Sequence, residues 1–411
     1  RMYTFRKYEH DKDIEAARRI WREVQWIDDS SDEKLLDAFL GGGRALVADL
    51  NGSAECLVTA NPGKIKYLNE ELSLSVVTSV TTSRIARKQG LAKKLTAQLI
   101  AEEAEAGAIV STLGIFEQGF YDQLGYGSGS YEHWMSFDPA DITINDKIRP
   151  PVRLKEDDWK KIHQALQNRK THHGGVTLYP ECFVEAELAW LKKGFGLGYA
   201  DGPKGELTHF FWGTSKGEHG PITIHILSYQ SMEQFIEMMA LIKSLGDQIR
   251  LVKMREPAGI QLQDLIRNPF RSRIVTEKSK FEHINRASAY WQTRICNLEA
   301  CIEATHLNSR SLRFNLDLSD PLEKLIDPES AWRGCAGEYT IELGSTSHAT
   351  DGFDKALPTL TADIGTFTRL WLGVKSATGL SATGNLSAPE SLLNDLDEVL
   401  CLPNPHPDWD Y

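Results

Sequence analysis

At 411 residues the chain is longer than one domain needs, so two or three domains are expected. A formal net charge of −11 excludes a general nucleic-acid binder and favours cationic or neutral partners. Six scattered cysteines with no Cys-x-x-Cys indicate neither a zinc site nor a disulfide framework, and no metal is expected. No uninterrupted apolar run is long enough to span a bilayer and no apolar signal core opens the chain, so a cytoplasmic location is the expectation, with no membrane partner.

Tyr3 to Tyr8 alternates as a strand does, and Asp11 is placed to cap a helix carrying Ile14, Ala17, Ile20, Trp21 and Val24. An acidic connection with Trp26, Asp28, Asp29, Asp32 and Glu33 leads to a short helix with Leu35, Leu36 and Phe39. Strands at 45–50 and 54–58 flank Asn51-Gly52, a strong hairpin turn. A β-branched run, Val76 to Thr82, then gives way to the loop Arg87-Lys88-Gln89-Gly90-Leu91-Ala92. Leu91, Leu95 and Leu99 mark one apolar face of the helix that follows, and Gly107 falls just past its end.

That loop leaves the first N–H groups of a helix without partners, beside the positive end of the helix dipole, and so suits a phosphate or pyrophosphate. Gly90 lets the backbone approach the anion, and Arg87, Lys88, Lys93 and Lys94 surround it with positive charge. It is neither a Walker loop, which would need Gly-Lys-Ser/Thr, nor a Rossmann loop, which would need three spaced glycines. A strand at 109–113 and the segment Phe120-Tyr121-x-x-Leu124-Gly125-Tyr126 come next.

Proline at 139, 150 and 151 punctuates the chain, and from Val152 a similar order of elements restarts. Helices near 157 and before 191, strands at 207–214 and 222–228, a helix at 231–245 and a strand at 249–252 are expected. Where a second anion loop should stand there is only Ser228-Tyr229-Gln230-Ser231. From Tyr290 the chain is strand-rich: strands at 291–295, 312–316 and 338–343, with helices at 298–304 and 390–399, before the tail Asp408-Trp409-Asp410-Tyr411.

The loop Arg87 to Ala92 resembles the acetyl-CoA loop of the GNAT acetyltransferases, Arg/Gln-x-x-Gly-x-Gly/Ala, and Phe120 to Gly127 resembles their second signature. Together with Arg294-Ile295-x-Asn297 and Asp363-x-Gly365, the plan resembles that of the Eis (enhanced intracellular survival) family. The resemblance implies an α/β (α+β) chain of tandem GNAT folds followed by a sterol-carrier-like domain. Residues 1–150 would be the catalytic GNAT domain, 151–289 a degenerate one, and 290–411 the sterol-carrier-like domain whose terminus enters the active site.

It further implies an N-acetyltransferase of primary amines (aminoglycoside-like, polyamine or peptide lysine) with acetyl-CoA as co-substrate, assembled as a hexamer. Val80, Thr81 and Thr82 would face the pantetheine arm, the run Arg87 to Lys93 the pyrophosphate, and Phe116 and Glu117 the strand exit beside it. Tyr121 would be the general acid and the Tyr411 α-carboxylate the general base, with Glu117 acting through water as the other candidate. Trp21, Trp26, Asp28 and Asp29 would border the acceptor groove. Two other classes remain open: a non-catalytic acyl-CoA-binding regulator and a lipid-binding carrier.

Overall fold

The computed structural model describes residues 2–28, 30–115 and 117–411. The first stretch runs β1 (Thr4–Lys7), α1 (His10–Glu23), α2 (Ser30–Leu40), β2 (Arg44–Leu50), β3 (Ser53–Tyr67), β4 (Glu70–Thr82), α3 (Leu91–Glu105), β5 (Val110–Gly114), β6 (Gly127–Ser128) and β7 (Glu132–Phe137). The second runs β8 (Val152–Leu154), α4 (Trp159–Gln167), β9 (Val176–Leu178), α5 (Glu181–Trp190), β10 (Phe195–Tyr199), β11 (His209–Ser215), β12 (Ile222–Ser228), α6 (Met232–Ser244), β13 (Val252–Arg255), α7 (Pro269–Thr276) and β14 (Ile284–Ser288). The third runs β15 (Trp291–Ile295), α8 (Leu298–Glu303), β16 (Leu312–Ser319), β17 (Gly337–Leu343), β18 (His348–Asp351), β19 (Thr359–Asp363), α9 (Ile364–Leu372), α10 (Ala377–Thr383), β20 (Leu386–Ser387) and α11 (Glu390–Val399).

The Asn51-Gly52 turn forms as its sequence dictates: both residues have positive φ, and the Asp49 carboxylate accepts from the Gly52 N–H at 2.7 Å. Two strands are longer than their sequence signal. β3 continues past 58 to Tyr67, and β4 begins at Glu70, because the turn-like Asn61-Pro62-Gly63 lies within β3. On the side of β3 away from β4, β2 stops at Ala60 and β9 starts at Gly63. Pro62 falls in the gap between those two neighbours, where a residue without an N–H is tolerated. Boundaries also move: α1 starts at His10, ahead of the expected Asp11 cap, the strand expected at 207–214 is β11, His209–Ser215, and the strand expected at 249–252 is β13, Val252–Arg255.

The strands form three sheets, ordered β1-β2-β3-β4-β5-β15-β6 with β9 on β3, β14-β7-β13-β12-β11-β10-β8, and β18-β17-β16-β19-β20. The sheets cross the expected boundaries at 150 and 289. β7 leaves the first interval to lie between β13 and β14, while β9 and β15 come from later intervals to complete the first sheet.

The third interval is welded to the first sheet. Tyr67 stacks on Trp371 with ring centroids 4.1 Å apart and donates its hydroxyl to the Trp371 carbonyl at 2.8 Å. Arg294 on β15 is fully buried; it donates to the Leu124 carbonyl at 2.8 Å and forms an ion pair with the equally buried Asp320. A buried pair of this kind earns little by itself, but removing one partner strands a charge in the core. The Arg294-Ile295-x-Asn297 motif therefore fastens the Phe120-to-Tyr126 turn to the third interval.

Candidate active site

The site begins where β4 and β5 part. The two strands are parallel and paired only through Leu74–Val110, Ser75–Ser111 and Val76–Thr112. Beyond that β4 follows β3 to Thr82, while β5 follows β15 to Gly114. Within the diverging part of β4 lies a bulge: Thr78 pairs with Thr59 and Thr81 with Leu57, so Ser79 and Val80 together oppose Val58. Ser79 takes a left-handed conformation, φ 56°, and its buried Oγ has no hydrogen-bond partner among the described residues. Strain of this kind in a β-strand marks a place where the backbone is re-aimed.

On one side of the bulge is a cleft of about 680 Å³. Val80, Thr81, Thr82 and the entire run Arg87 to Lys93 line it, with Val24, Trp26 and Phe120. Gly90 is the N-cap of α3 at φ 72°, contributes no side chain to the helix end, and a Cβ placed there would point into open space. The leading N–H groups of α3 thus face the cleft uncapped, and Arg87 and Lys88 are exposed beside them. An uncapped helix start with mobile cations fits a pyrophosphate. Lys93 donates to Gln123 Oε1 at 2.7 Å, which ties this loop to the turn carrying Tyr121.

On the other side is a cavity of about 400 Å³ with an aromatic wall: Trp21, Trp26, Phe39, Phe183, Trp190, Tyr290 and Tyr411. Ser79, Gly114 and Ile115 form its floor at the split between the strands. Tyr411 sits against Gly114 so closely that a Cβ there would come within 2.5 Å of Tyr411 Cβ. Its hydroxyl is 3.0 Å from Thr112 Oγ1. The tail leading to it is held by every part of the chain. The Val176 N–H donates to the Pro407 carbonyl at 2.9 Å, Arg169 pairs with Asp408 at 3.3 Å, Tyr290 donates to the Trp409 carbonyl, and Arg255 lies 3.6 Å from Asp410.

Tyr121 opens a single 3-10 turn and packs against Phe120, with Val80 and Ile115 in the same apolar cluster. Burial pushes its hydroxyl up to about 12, and that hydroxyl has no hydrogen-bond partner among the described residues. The neighbouring Tyr126 is already committed: it is buried and shares a 2.7 Å hydrogen bond with Ser111. Glu117 is exposed and lines neither cavity, and Phe116 lies outside the described residues.

Of the four residues expected at the acceptor groove, Trp21 and Trp26 line the cavity. Asp28 does not. It is exposed, and its N–H is turned toward the Asp32 carboxylate at 3.1 Å. Asp29 lies outside the described residues.

The acidic group that does line the cavity is Glu187 on α5. Phe183, Ala186, Glu187 and Trp190 form one face of that helix, and Phe39 meets Phe183 with centroids 5.1 Å apart. Burial, reinforced by the nearby Asp410 charge and opposed by Arg255, pushes the Glu187 carboxyl up to about 8. The sequence carried one sign of it, a single acid among the apolar residues of a helical face. Which cavity that face borders is a tertiary matter.

Residues 4–129 match the acetyltransferase (GNAT) domain family and residues 306–407 the sterol carrier protein domain family. The chain thus carries a GNAT acetyltransferase domain, which makes it an acyltransferase, and a sterol-carrier-like domain. No curated protein sequence matches it. Its fold is shared along the whole length with Eis1 from Mycobacterium abscessus (14% identity, TM-score 0.75, all of both chains). A GCN5-related N-acetyltransferase from Anabaena variabilis (15%, 0.78, 98% of each chain) has the same fold. So does a probable N-acyltransferase from Enterococcus faecalis (17%, 0.76, 97% of each). Identities this low establish the common fold alone. No helix among the described residues is long and apolar enough to cross a membrane.

Proposed function

We propose that the chain is an acetyl-CoA-dependent N-acetyltransferase of primary amines, using Tyr121 as general acid and the carboxylate of a chain ending at Tyr411 as general base. One observation carries this reading: the anion cleft and the aromatic cavity meet at the Ser79–Val80 bulge, so that a thioester on one side and an amine on the other can react there. Acetyl-CoA supplies the activated acetyl group when bound. The N-terminus of α3 with Arg87 and Lys88 holds the pyrophosphate. The bulge at Val80 presents a backbone N–H to the carbonyl oxygen that gathers charge. The Tyr411 carboxylate takes a proton from the acceptor nitrogen, and the Tyr121 hydroxyl returns one to the leaving sulfur.

The deciding experiment measures release of coenzyme A thiol over a panel of amines, comparing the unextended chain with one carrying a single glycine after Tyr411. The extension turns the Tyr411 carboxylate into an amide and moves the terminal carboxylate one residue further along, leaving every side chain in place. Amine-dependent release by the first and a fall of ten-fold or more in the second, at an unchanged melting temperature, is expected for loss of one proton-transfer group. Equal rates with the tail still docked would move the base elsewhere. No release with any amine would end the enzyme reading.

A further inference from the structure

We infer that a third cavity, where the end of β3, the loop before β9 and the tail meet, binds a small multivalent oxyanion through Lys66, Lys170 and His172, and that this ligand is an effector held away from the reacting groups.

The cavity has a volume of about 680 Å³. Lys66 at the end of β3, the loop 170–173, the turn 256–261 after β13, and Asn404 and His406 of the tail form its walls. It shares no lining residue with the anion cleft or the aromatic cavity. Lys66 stands seven residues along β3 from Thr59, the partner of Thr78 beside the bulge, which is about 23 Å of strand. A molecule bound here is out of reach of the Ser79–Val80 bulge.

The walls offer cations and donors with little to balance them. Lys66 gives one hydrogen bond, to the Thr171 carbonyl at 3.2 Å, and neither it nor Lys170 has a carboxylate partner among the described residues. The His172 imidazole has no hydrogen-bond partner among the described residues, and its Nε2 faces Gly259, where a Cβ would lie 3.9 Å away. Glu256 is the single carboxylate among the lining residues, and it is engaged within its own turn, accepting from the Leu262 N–H at 3.0 Å. Two further histidines are spent on structure. His173 accepts from the Leu68 N–H at 2.9 Å and donates to the Leu372 carbonyl at 2.7 Å; His406 accepts from the Asp408 N–H at 3.1 Å and donates to the Glu256 carbonyl at 2.9 Å. A ring that accepts at one nitrogen is neutral, so these two fix the walls and leave the charge to Lys66, Lys170 and His172.

Like charges sharing a cavity repel, and an anion between them removes that cost. This is a local reversal of sign in a chain whose net charge is −11. Lysine attracts as a point charge, without the planar fork by which arginine selects one geometry. The site therefore selects charge over shape, and its volume leaves room for a molecule with two or more phosphate or carboxylate groups. Burial first, then Lys170 and, against Asp408, Lys66 hold the His172 imidazole below its ordinary range, and a bound anion would raise it. Asn404 and His406 precede Tyr411 by seven and five residues, so an occupied cavity joins the tail to the loop of Lys170 and His172.

The test is calorimetry with inorganic pyrophosphate and with citrate, titrated into the full chain and into Gly90→Glu, whose carboxylate closes the start of α3. One site should remain in Gly90→Glu. Adding Lys66→Gln and Lys170→Gln together should weaken it ten-fold or more, the scale of two charge-assisted contacts. Lys66→Arg keeps the charge and should bind within a few-fold of the parent, and Lys216→Gln, an exposed lysine on the β11–β12 hairpin, should change nothing. The stronger of the two probes names the phosphate or the carboxylate as the ligand group. Histidine NMR gives the local readout: pyrophosphate should raise the titration midpoint of the signal that disappears in His172→Gln. His133, His406, Glu256 and Asp408 are the other titrating groups around that ring, and their signals should move less. No binding of either probe to Gly90→Glu, equal affinity in the double lysine variant at unchanged circular dichroism, equal weakening by Lys216→Gln, or an unmoved His172 midpoint would each overturn the inference. Binding is read without turnover, so the outcome is independent of the transferase reading.

Discussion

The first and second sheets have the same split and differ in what surrounds it. In the first, β4 and β5 pair through three residues and then diverge; in the second, β12 and β13 pair through Ile222–Val252, Thr223–Lys253 and Ile224–Met254 and then diverge. Each split is followed by a bulge, at Ser79–Val80 and at His225, where the β11 register shifts between Trp212 and Gly213. The helices that follow differ at their first residue. Gly90 leaves the start of α3 open, whereas the Ser231 side chain accepts from the Gln234 N–H at 3.3 Å and closes the start of α6. The tail also runs beside the second split: Asp408, Trp409 and Asp410 line a small cavity there with His225, Leu227 and Arg255, and Asp410 lies 3.6 Å from Arg255. The two sheets thus share a backbone plan and differ at the helix start. Anion binding depends on a few unpaired N–H groups and not on the sheet, and a capped helix start offers fewer of them.

The largest effect should come from making the first helix start resemble a closed one. Gly90→Glu puts a carboxylate where the pyrophosphate belongs, at a position whose positive φ already disfavours a side chain. Calorimetry should show acetyl-CoA binding lost with the circular dichroism unchanged.

Tyr121→Phe should leave acetyl-CoA affinity intact and lower kcat about ten- to a thousand-fold, as loss of one general acid does. A turnover number within two-fold of the parent would remove Tyr121 from the mechanism.

A smaller effect is expected on stability against pH. The Glu187 carboxyl is raised to about 8 in the folded chain, by burial first and by Asp410 next, against 4.5 for an ordinary glutamate. Above pH 4.5 the unfolded chain releases this proton while the folded chain keeps it, so folding binds more protons and stability falls as pH rises, levelling off above about 8. Melting temperatures between pH 5 and 8 should therefore decline less steeply in Glu187→Gln than in the parent.

The smallest effect is the converse of the first. Ser231→Ala uncaps α6 and should cost about 1 kcal/mol, measured by urea denaturation, without creating a second acetyl-CoA site. A stoichiometry above one in calorimetry would show that the cap alone keeps the start of α6 closed to the anion.

Local chemistry made much of this legible. The Arg87-to-Ala92 loop could be read because a glycine, a basic cluster and an apolar helical face lie within a few residues of each other, and one backbone conformation serves all three. Asn51-Gly52 was as plain, since both residues tolerate positive φ. Trp21 and Trp26 could be singled out by composition, but Asp28 could not be separated from Glu187 in that way. A charge has no periodicity to show which cavity it faces.

By itself, then, the sequence determined many of the elements and the uncapped helix start, because each is a property of neighbouring residues. The tertiary structure decided the rest. It put β7 in the second sheet and β9 and β15 in the first, since strand pairing is chosen by edges that are free in space. It ran the tail past the second split into the first, where Gly114 leaves room for Tyr411. And it turned one face of α5 toward Trp21 and Phe39, so that a carboxyl far away in sequence, Glu187, lines the aromatic cavity.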